Sequence, residues 1–355
     1  MKISISKSII ENILIQAGPF LEKKDTSQIT SHVYINASNG LLTIKATDYE
    51  IGYFVNTNNV TITQDGSATA NGKKFLDIIK ILKDGNVDLE LKNNMLFITQ
   101  SHSNFKLPTF ATEEFPEFPT IDGKDKISID SYSLIESLKK ITPAIDTNNP
   151  KFELNGALID IQPDRINFAS TDTRRLAVVH IPNNSTNELS IIIPKKAIVE
   201  IQKLFFNEIE LYYDATNLII QSDQYTFFTK LINGKFPEYS RIIPKEIANT
   251  LILPKATMID SIKQITTIST DVKITFNQNL ITFESLSDDN IEAKTEINFA
   301  TGFEEPFVLA INSRYLLDFL NSIQNSEFTM GLNEGNLPFI LNDENFKTVV
   351  MPIVI

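Results

Sequence analysis

Lys2-Ile3-Ser4-Ile5-Ser6 runs straight into Lys7-Ser8-Ile9-Ile10-Glu11-Asn12-Ile13-Leu14. Apolar and polar residues alternate as in a strand, then apolar residues recur at helical spacing. The succession returns as Lys126-Ile127-Ser128-Ile129-Asp130 before Ser131-Tyr132-Ser133-Leu134-Ile135-Glu136-Ser137-Leu138. It returns again as Thr250-Leu251-Ile252-Leu253-Pro254 before Lys255-Ala256-Thr257-Met258-Ile259-Asp260-Ser261-Ile262. Each copy is followed by a second helical block, beginning Asn71-Gly72-Lys73-Lys74-Phe75, Pro194-Lys195-Lys196-Ala197-Ile198 and Asn312-Ser313-Arg314-Tyr315-Leu316. Copies start roughly 120 residues apart, the length of a self-sufficient domain and too long for a solenoid unit. The sequence therefore divides into three similar domains, 1–122, 123–246 and 247–355. Three like domains point to a function carried by geometry and away from a single catalytic pocket.

Within each repeat the order reads strand, helix, several strands, helix, further strands. Leu134, Leu138, Ile141 and Ile145 form the stripe of one first helix. Phe75, Ile78, Ile79 and Leu82 form that of a second helix, which Asp84-Gly85-Asn86 stops. Segments such as Arg165-Ile166-Asn167-Phe168-Ala169-Ser170-Thr171 read as half-buried antiparallel strands joined by Asn- and Asp-rich turns. The expected fold is α+β, with two helices packed on antiparallel sheets in each of three repeats. The first two repeats also close alike, with Phe115-Pro116-Glu117-Phe118-Pro119 and Phe236-Pro237-Glu238-Tyr239. Proline after a strand ends pairing, and the absence of a Gly/Ser linker predicts stiff connections.

With 42% hydrophobic and 21% charged residues, the composition is that of an ordinary globular protein. No apolar run is long enough to span a bilayer, and the N-terminus alternates like a strand, unlike a leader. A cytoplasmic protein without a membrane partner is expected. The lack of cysteine excludes disulfides, thiolate metal sites and Cys nucleophiles. A net charge of −12 disfavours nucleic acid unless the two signs are segregated. They are patterned. Lys73, Lys74 and Lys80 lie off the apolar stripe of their helix, as do Lys195, Lys196 and Lys203 opposite Ile198, Ile201 and Phe205. Arg314 takes the matching place in the third repeat, while Lys7, Lys139, Lys140 and Lys263 lie off the stripes of the first helices. Many carboxylates fall elsewhere, as in Glu113-Glu114 and Asp288-Asp289. One helix at a time, these are ordinary solvated lysines. Recurrence at matched positions predicts a basic surface that follows phosphates without reading bases.

Four stretches, in order and at the right repeat positions, carry a resemblance to a known family. They are Leu154-Asn155-Gly156-Ala157-Leu158, Ala169-Ser170-Thr171-Asp172-Thr173-Arg174-Arg175-Leu176-Ala177-Val178, Gly234-Lys235-Phe236-Pro237-Glu238-Tyr239-Ser240-Arg241-Ile242-Ile243-Pro244 and Val349-Val350-Met351-Pro352-Ile353. The whole chain resembles the bacterial sliding clamps, the beta subunits of DNA polymerase III. The resemblance implies the DNA clamp fold and a head-to-tail homodimer closing into a ring around duplex DNA. It implies a processivity factor with no catalytic residues, cofactor or metal. Its expected partners are double-stranded DNA bound without sequence preference, the DNA polymerase III alpha subunit, the clamp loader and other proteins with a clamp-binding motif. The implied peptide cleft is lined by Leu154, Thr171, Arg175, Leu176, Pro237, Arg241, Ile242, Val349, Val350, Met351 and Pro352. The residues expected to face DNA are Lys24, Lys73, Lys74, Lys80, Lys139, Lys140, Lys195, Lys196, Lys203 and Arg314. The dimer seam is expected at Phe105 and Leu107 on one side and Ile268 on the other. Two departures from the family pattern stand out: Thr173-Arg174 where Gly-His is common, and Val354 in place of a frequent basic residue.

Two other readings compete. An enzyme would use Asp48 and Asp172, each preceded by Thr, but His32, His102 and His180 have no metal-ligand spacing and no nucleophile–base set accompanies them. The repeated Thr-Asp reads better as one turn used in two domains. A scaffold without a DNA role accounts for the repeats but leaves the matched lysines unexplained.

Overall fold

The computed structural model describes residues 1–183, 188–286 and 291–355; Asp288 and Asp289 lie outside them. Six α-helices occur among the described residues: α1 (Lys7–Ala17), α2 (Gly72–Ile81), α3 (Ser131–Ile141), α4 (Lys195–Leu204), α5 (Lys255–Thr266) and α6 (Ser313–Ser322). All follow directly on strands except α3, as the opening sequence pattern predicts. Asn71 accepts the Lys74 N–H and Asn312 the Arg314 N–H, each at 3.1 Å, so the same side-chain cap starts α2 and α6. Ile145 departs from expectation. α3 ends at Ile141, Pro143 prevents its continuation, and a short 3₁₀ turn over Thr142–Ala144 leaves Ile145 beyond the helix, though buried.

The backbone forms two compact units, Met1–Tyr132 with Val199–Leu231, and Ser133–Ile198 with Ile232–Ile355. The first unit holds a five-stranded antiparallel sheet in the order Val60–Gln64, Lys2–Ser6, Asn86–Lys92, Met95–Gln100, Ser103–Pro108. It also holds an eight-stranded sheet, Asp125–Ile127, Glu210–Tyr213, Asn217–Gln221, Tyr225–Lys230, Ile51–Thr57, Leu41–Thr47, His32–Ser38, Gly66–Asn71. In the second unit an eight-stranded sheet runs Leu189–Pro194, Gly156–Ile161, Arg165–Thr171, Arg175–Pro182, Phe346–Val350, Phe339–Asp343, Glu327–Leu332, Asn249–Pro254. A four-stranded sheet there runs Lys294–Asn298, Leu280–Ser285, Asp271–Asn277, Phe307–Asn312.

Each eight-stranded sheet is therefore two half-sheets from consecutive repeats, joined at one antiparallel seam. Phe228 pairs with Gly52 in the first and Val349 with Leu176 in the second. This fusion explains why compactness divides the middle repeat between the units. In the first unit α1 packs on α2, burying Ile10, Leu14, Phe75 and Ile79; in the second, α5 and α6 bury Met258, Ile262, Leu316 and Phe319.

Candidate functional site

Thr171-Asp172-Thr173-Arg174-Arg175 forms a tight turn between two strands of the second unit. The Thr171 hydroxyl donates to the Arg175 carbonyl at 2.6 Å and accepts the Thr173 N–H at 3.0 Å. Asp172 accepts the N–H groups of Arg174 and Arg175 at 3.1 and 3.0 Å. Thr47-Asp48 builds the same turn: Thr47 donates to the Ile51 carbonyl at 2.8 Å, and Asp48 accepts from Glu50 and Ile51. Thr173 and Tyr49 both sit in the left-handed region, at φ +71° and +73°. The two aspartates thus hold backbone, which accounts for their recurrence without any acid–base role.

Beside this turn lies an apolar cluster. Leu154, Leu176 and Val349 are buried in it with Leu158, Ala169, Val178, Ile192, Phe236 and Ile340. Ile232, Tyr239, Ile243 and Ile247 pack on it while remaining partly exposed. Local sequence builds the surroundings. The Asn155 side chain accepts the N–H groups of Asn148 and Asn149, and a Cβ on Gly156 would come within 2.5 Å of the Ile193 carbonyl oxygen. That close approach requires glycine.

Of the residues expected to line a cleft, Pro237, Arg241, Ile242 and Met351 are exposed, and Pro352 is half-buried. Leu154, Leu176 and Val349 are buried in the apolar cluster. Val350 does not join that cluster. It neighbours Val349 in one strand, so its side chain points to the opposite face, where it is fully buried. Thr171 is likewise buried, its hydroxyl committed to the turn. Arg175 corrects the expectation of a ligand-holding cation. Its side chain is only 3% exposed, with Nε 3.1 Å from Asp172 and Nη1 2.7 Å from Asp318. Nη2 donates to the Pro143 carbonyl, and the guanidinium lies 4.6 Å from the Tyr315 ring centre. Arg241, by contrast, is exposed and paired with Glu238. The tail beyond Val350 is not a strand. The Met351 N–H donates to the Arg174 carbonyl and the Ile353 N–H to the Ala310 carbonyl, while Val354 and Ile355 are 80% and 70% exposed.

The basic residues differ among themselves. Lys73, Lys74 and Lys80 are exposed on α2 and carry no ion pair among the described residues. Lys24 is exposed on a loop. Lys139, Lys203 and Arg314 pair with Glu136, Glu200 and Asp318 one turn away on their own helices. Lys140 reaches Asn345 at 3.2 Å, and Lys196 is exposed. Lys195 turns inward and donates to the Ile145 carbonyl at 2.6 Å. Burial, then the nearby Arg314 and Arg175, hold its pKa below the usual lysine value. Of the three residues expected at a seam, Leu107 is buried in its own repeat, opposite Leu96; Phe105 is half-buried and Ile268 is 40% exposed.

Family models of the DNA polymerase III beta subunit match along the chain: the N-terminal domain over residues 1–119, the central domain over 128–238 and the C-terminal domain over 240–354. The chain belongs to the DNA polymerase III beta subunit family. It is 38% identical to the beta sliding clamp of Helicobacter pylori over an alignment of 374 positions that covers 100% of both proteins. Its backbone matches the crystal structure of the Helicobacter pylori beta clamp bound to a DNA ligase peptide, with a TM-score of 0.94 over 100% of both chains. The beta subunit of Pseudomonas aeruginosa, 21% identical, shares the fold at a TM-score of 0.91.

Within this beta subunit family pattern, the glycine common where Thr173 stands has a physical reason, since the turn demands a positive φ there. Sequence reading missed Asp318 and Tyr315 as partners of Arg175. Asp318 lies 143 residues away, and nothing local announces the pairing. Phe236 and Tyr239, absent from the expected lining, also join or pack on the apolar cluster, and both lie in the Gly234–Pro244 stretch that could have pointed to them.

Proposed function

We propose that the chain is a sliding clamp, a head-to-tail homodimer that encircles duplex DNA in the cytoplasm and tethers the replicative polymerase, the clamp loader and other partners. The observation that carries this reading is the pattern of sheet edges. Each eight-stranded sheet forms where the closing strand of one repeat pairs with a strand of the preceding repeat. Ser103–Pro108 closes the first repeat and ends its sheet, and Lys294–Asn298 ends the sheet of the third. These are the counterparts of the strands joined at the two seams, so a second copy of the chain supplies the missing half of each. Heterologous contacts of this kind close into a ring when the rotation per subunit permits. Phe105 on one edge and Ile268 near the other contribute apolar surface to that seam.

The helix lysines supply the inner surface. Surface pairs such as Lys139–Glu136 are worth about 0–1 kcal/mol, so a passing phosphate exchanges with the carboxylate at little cost. Contact with DNA is then loose, salt-dependent and non-directional, which suits sliding. Lys73, Lys74 and Lys80 make the most available contribution, and Lys195 the least. The protein performs no chemistry of its own. Partner peptides dock at the exposed rim of Pro237, Arg241, Ile242 and Met351, above the floor of Leu154, Leu176 and Val349. An aliphatic floor accepts a ligand's Leu or Phe, and Met351 adapts in shape. The peptide bound by the Helicobacter pylori relative supports this reading.

The deciding experiment loads the protein onto nicked circular DNA and then linearises it. Retention on the circle with loss from the linear form is expected; equal retention on both removes the topological mechanism. The native mass in solution is expected at about twice the 40.0 kDa of the chain.

A further inference from the structure

We propose that the first repeat junction contains a second copy of the peptide cleft, sealed by the chain's own side chains, so that each chain takes one peptide rather than two. This inference rests on the cleft reading above.

Strand register makes the correspondence residue by residue. The Thr47 and Thr171 turns are the anchors. Counting from them, Gly52 answers to Leu176, Lys45 to Ala169 and Phe54 to Val178. Across the seams Phe228 answers to Val349, and across the neighbouring strands Tyr34 answers to Leu158. The covering segments match too: Phe115 and Phe118 pair with ring centres 6.4 Å apart, Phe236 and Tyr239 at 6.3 Å.

The floors differ. At the second junction Leu176, Val349, Ala169 and Val178 make an aliphatic surface. At the first, a Cβ on Gly52 would fall 2.0 Å from the Phe228 ring, so the ring occupies the space that Leu176 fills at the second. Phe118 meets that ring edge-on at 4.9 Å. Lys45 then lies over the assembly, its ammonium 5.3 Å from the Phe118 ring, 5.5 Å from Phe54 and 5.7 Å from Tyr34. Interlocked rings under a cation leave an apolar guest side chain nothing to displace except this packing. The second junction, whose cover of Tyr239 and Ile243 is only partly buried, offers an adaptable surface.

Calorimetric titration with the DNA ligase peptide of the Helicobacter pylori relative tests this. The wild type is expected to bind about one peptide per chain. The swap Lys45→Ala/Gly52→Leu/Phe228→Val, which installs the second junction's residues at the first, is expected to add a second, at least tenfold weaker event. In a chain lacking Met351–Ile355, peptide binding is expected to vanish and the swap to restore the weak event alone. Two peptides per wild-type chain overturn the proposal without any variant, as does a folded swap that still binds one. If the swap fails to fold, Phe118→Ala opens the cover alone, and unchanged stoichiometry there also overturns it. No binding to the wild type sinks the cleft reading itself, and the proposal with it.

Discussion

Replacing Arg175 with Met keeps an apolar stem of similar length and deletes only the guanidinium. Its three nitrogens donate to Asp172, Asp318 and the Pro143 carbonyl, with the Tyr315 ring against its face. It therefore ties the Thr171–Arg175 turn to the end of α3 and to α6. Removing one partner of a buried ion pair costs about 3–5 kcal/mol, because the other charge is left without compensation. Two features place the expected loss at the lower end. The Asp172 and Asp318 side chains are 20% and 26% exposed, so water partly re-solvates them, and Asp318 keeps Arg314 at 3.6 Å. A loss of about 3 kcal/mol is expected, read from urea denaturation at fixed protein concentration so that dimerisation does not confound it. Arg175→Lys retains charge without the planar fork and is expected to lose about half as much. A double-mutant cycle with Asp318→Asn isolates that pair. A change below about 1 kcal/mol in Arg175→Met, accompanied by a large loss of peptide affinity, refutes the structural role and returns Arg175 to ligand binding.

Thr173→Gly relieves a left-handed backbone that costs a non-glycine residue about 1–2 kcal/mol, less the added chain entropy of glycine. A net gain of about 0.5–1 kcal/mol is expected in thermal melts; a loss shows that the Thr173 side chain contributes more than its backbone strain. His32 is 4% exposed, beside Phe110 and 3.3 Å from the Thr69 hydroxyl, and burial lowers its pKa to about 4. Its contribution is complete above the unfolded value near 6.5 and is lost as pH falls toward 4, up to about 3 kcal/mol. His32→Asn is expected to flatten stability across that window, and an unchanged pH profile contradicts a buried neutral imidazole. Deleting Met351–Ile355 is expected to abolish peptide binding while leaving the dimer mass intact; undiminished affinity moves the cleft elsewhere.

Local patterns made much of the fold readable. Alternation in Lys2–Ser6 and helical spacing after Lys7 depend only on near neighbours, so each repeat announced its own strands and helices. The Thr-Asp turn was equally legible, because its hydrogen bonds span four residues. Proline also acted locally, and its effect on α3 was readable in principle from Pro143, yet the apolar spacing drew Ile145 into the stripe. The exposed lysines of α2 followed from helical geometry, whereas the inward turn of Lys195 depends on a carbonyl 50 residues away.

The sequence by itself determined the threefold repeat and the position of each helix. Tertiary structure alone decided which residues meet. Pairing of Val349 with Leu176, and of Phe228 with Gly52, joins strands far apart in the chain, and no short-range signal encodes that register. The pairing sends Val349 into the apolar cluster and Val350 to the opposite face, because successive strand residues alternate. It also buries Arg175 among partners from α6 and the end of α3, turning an expected ligand contact into a structural tie. Similar repeats thus yield unequal junctions. Their local patterns are alike, but the volumes that face each other across the two seams are not.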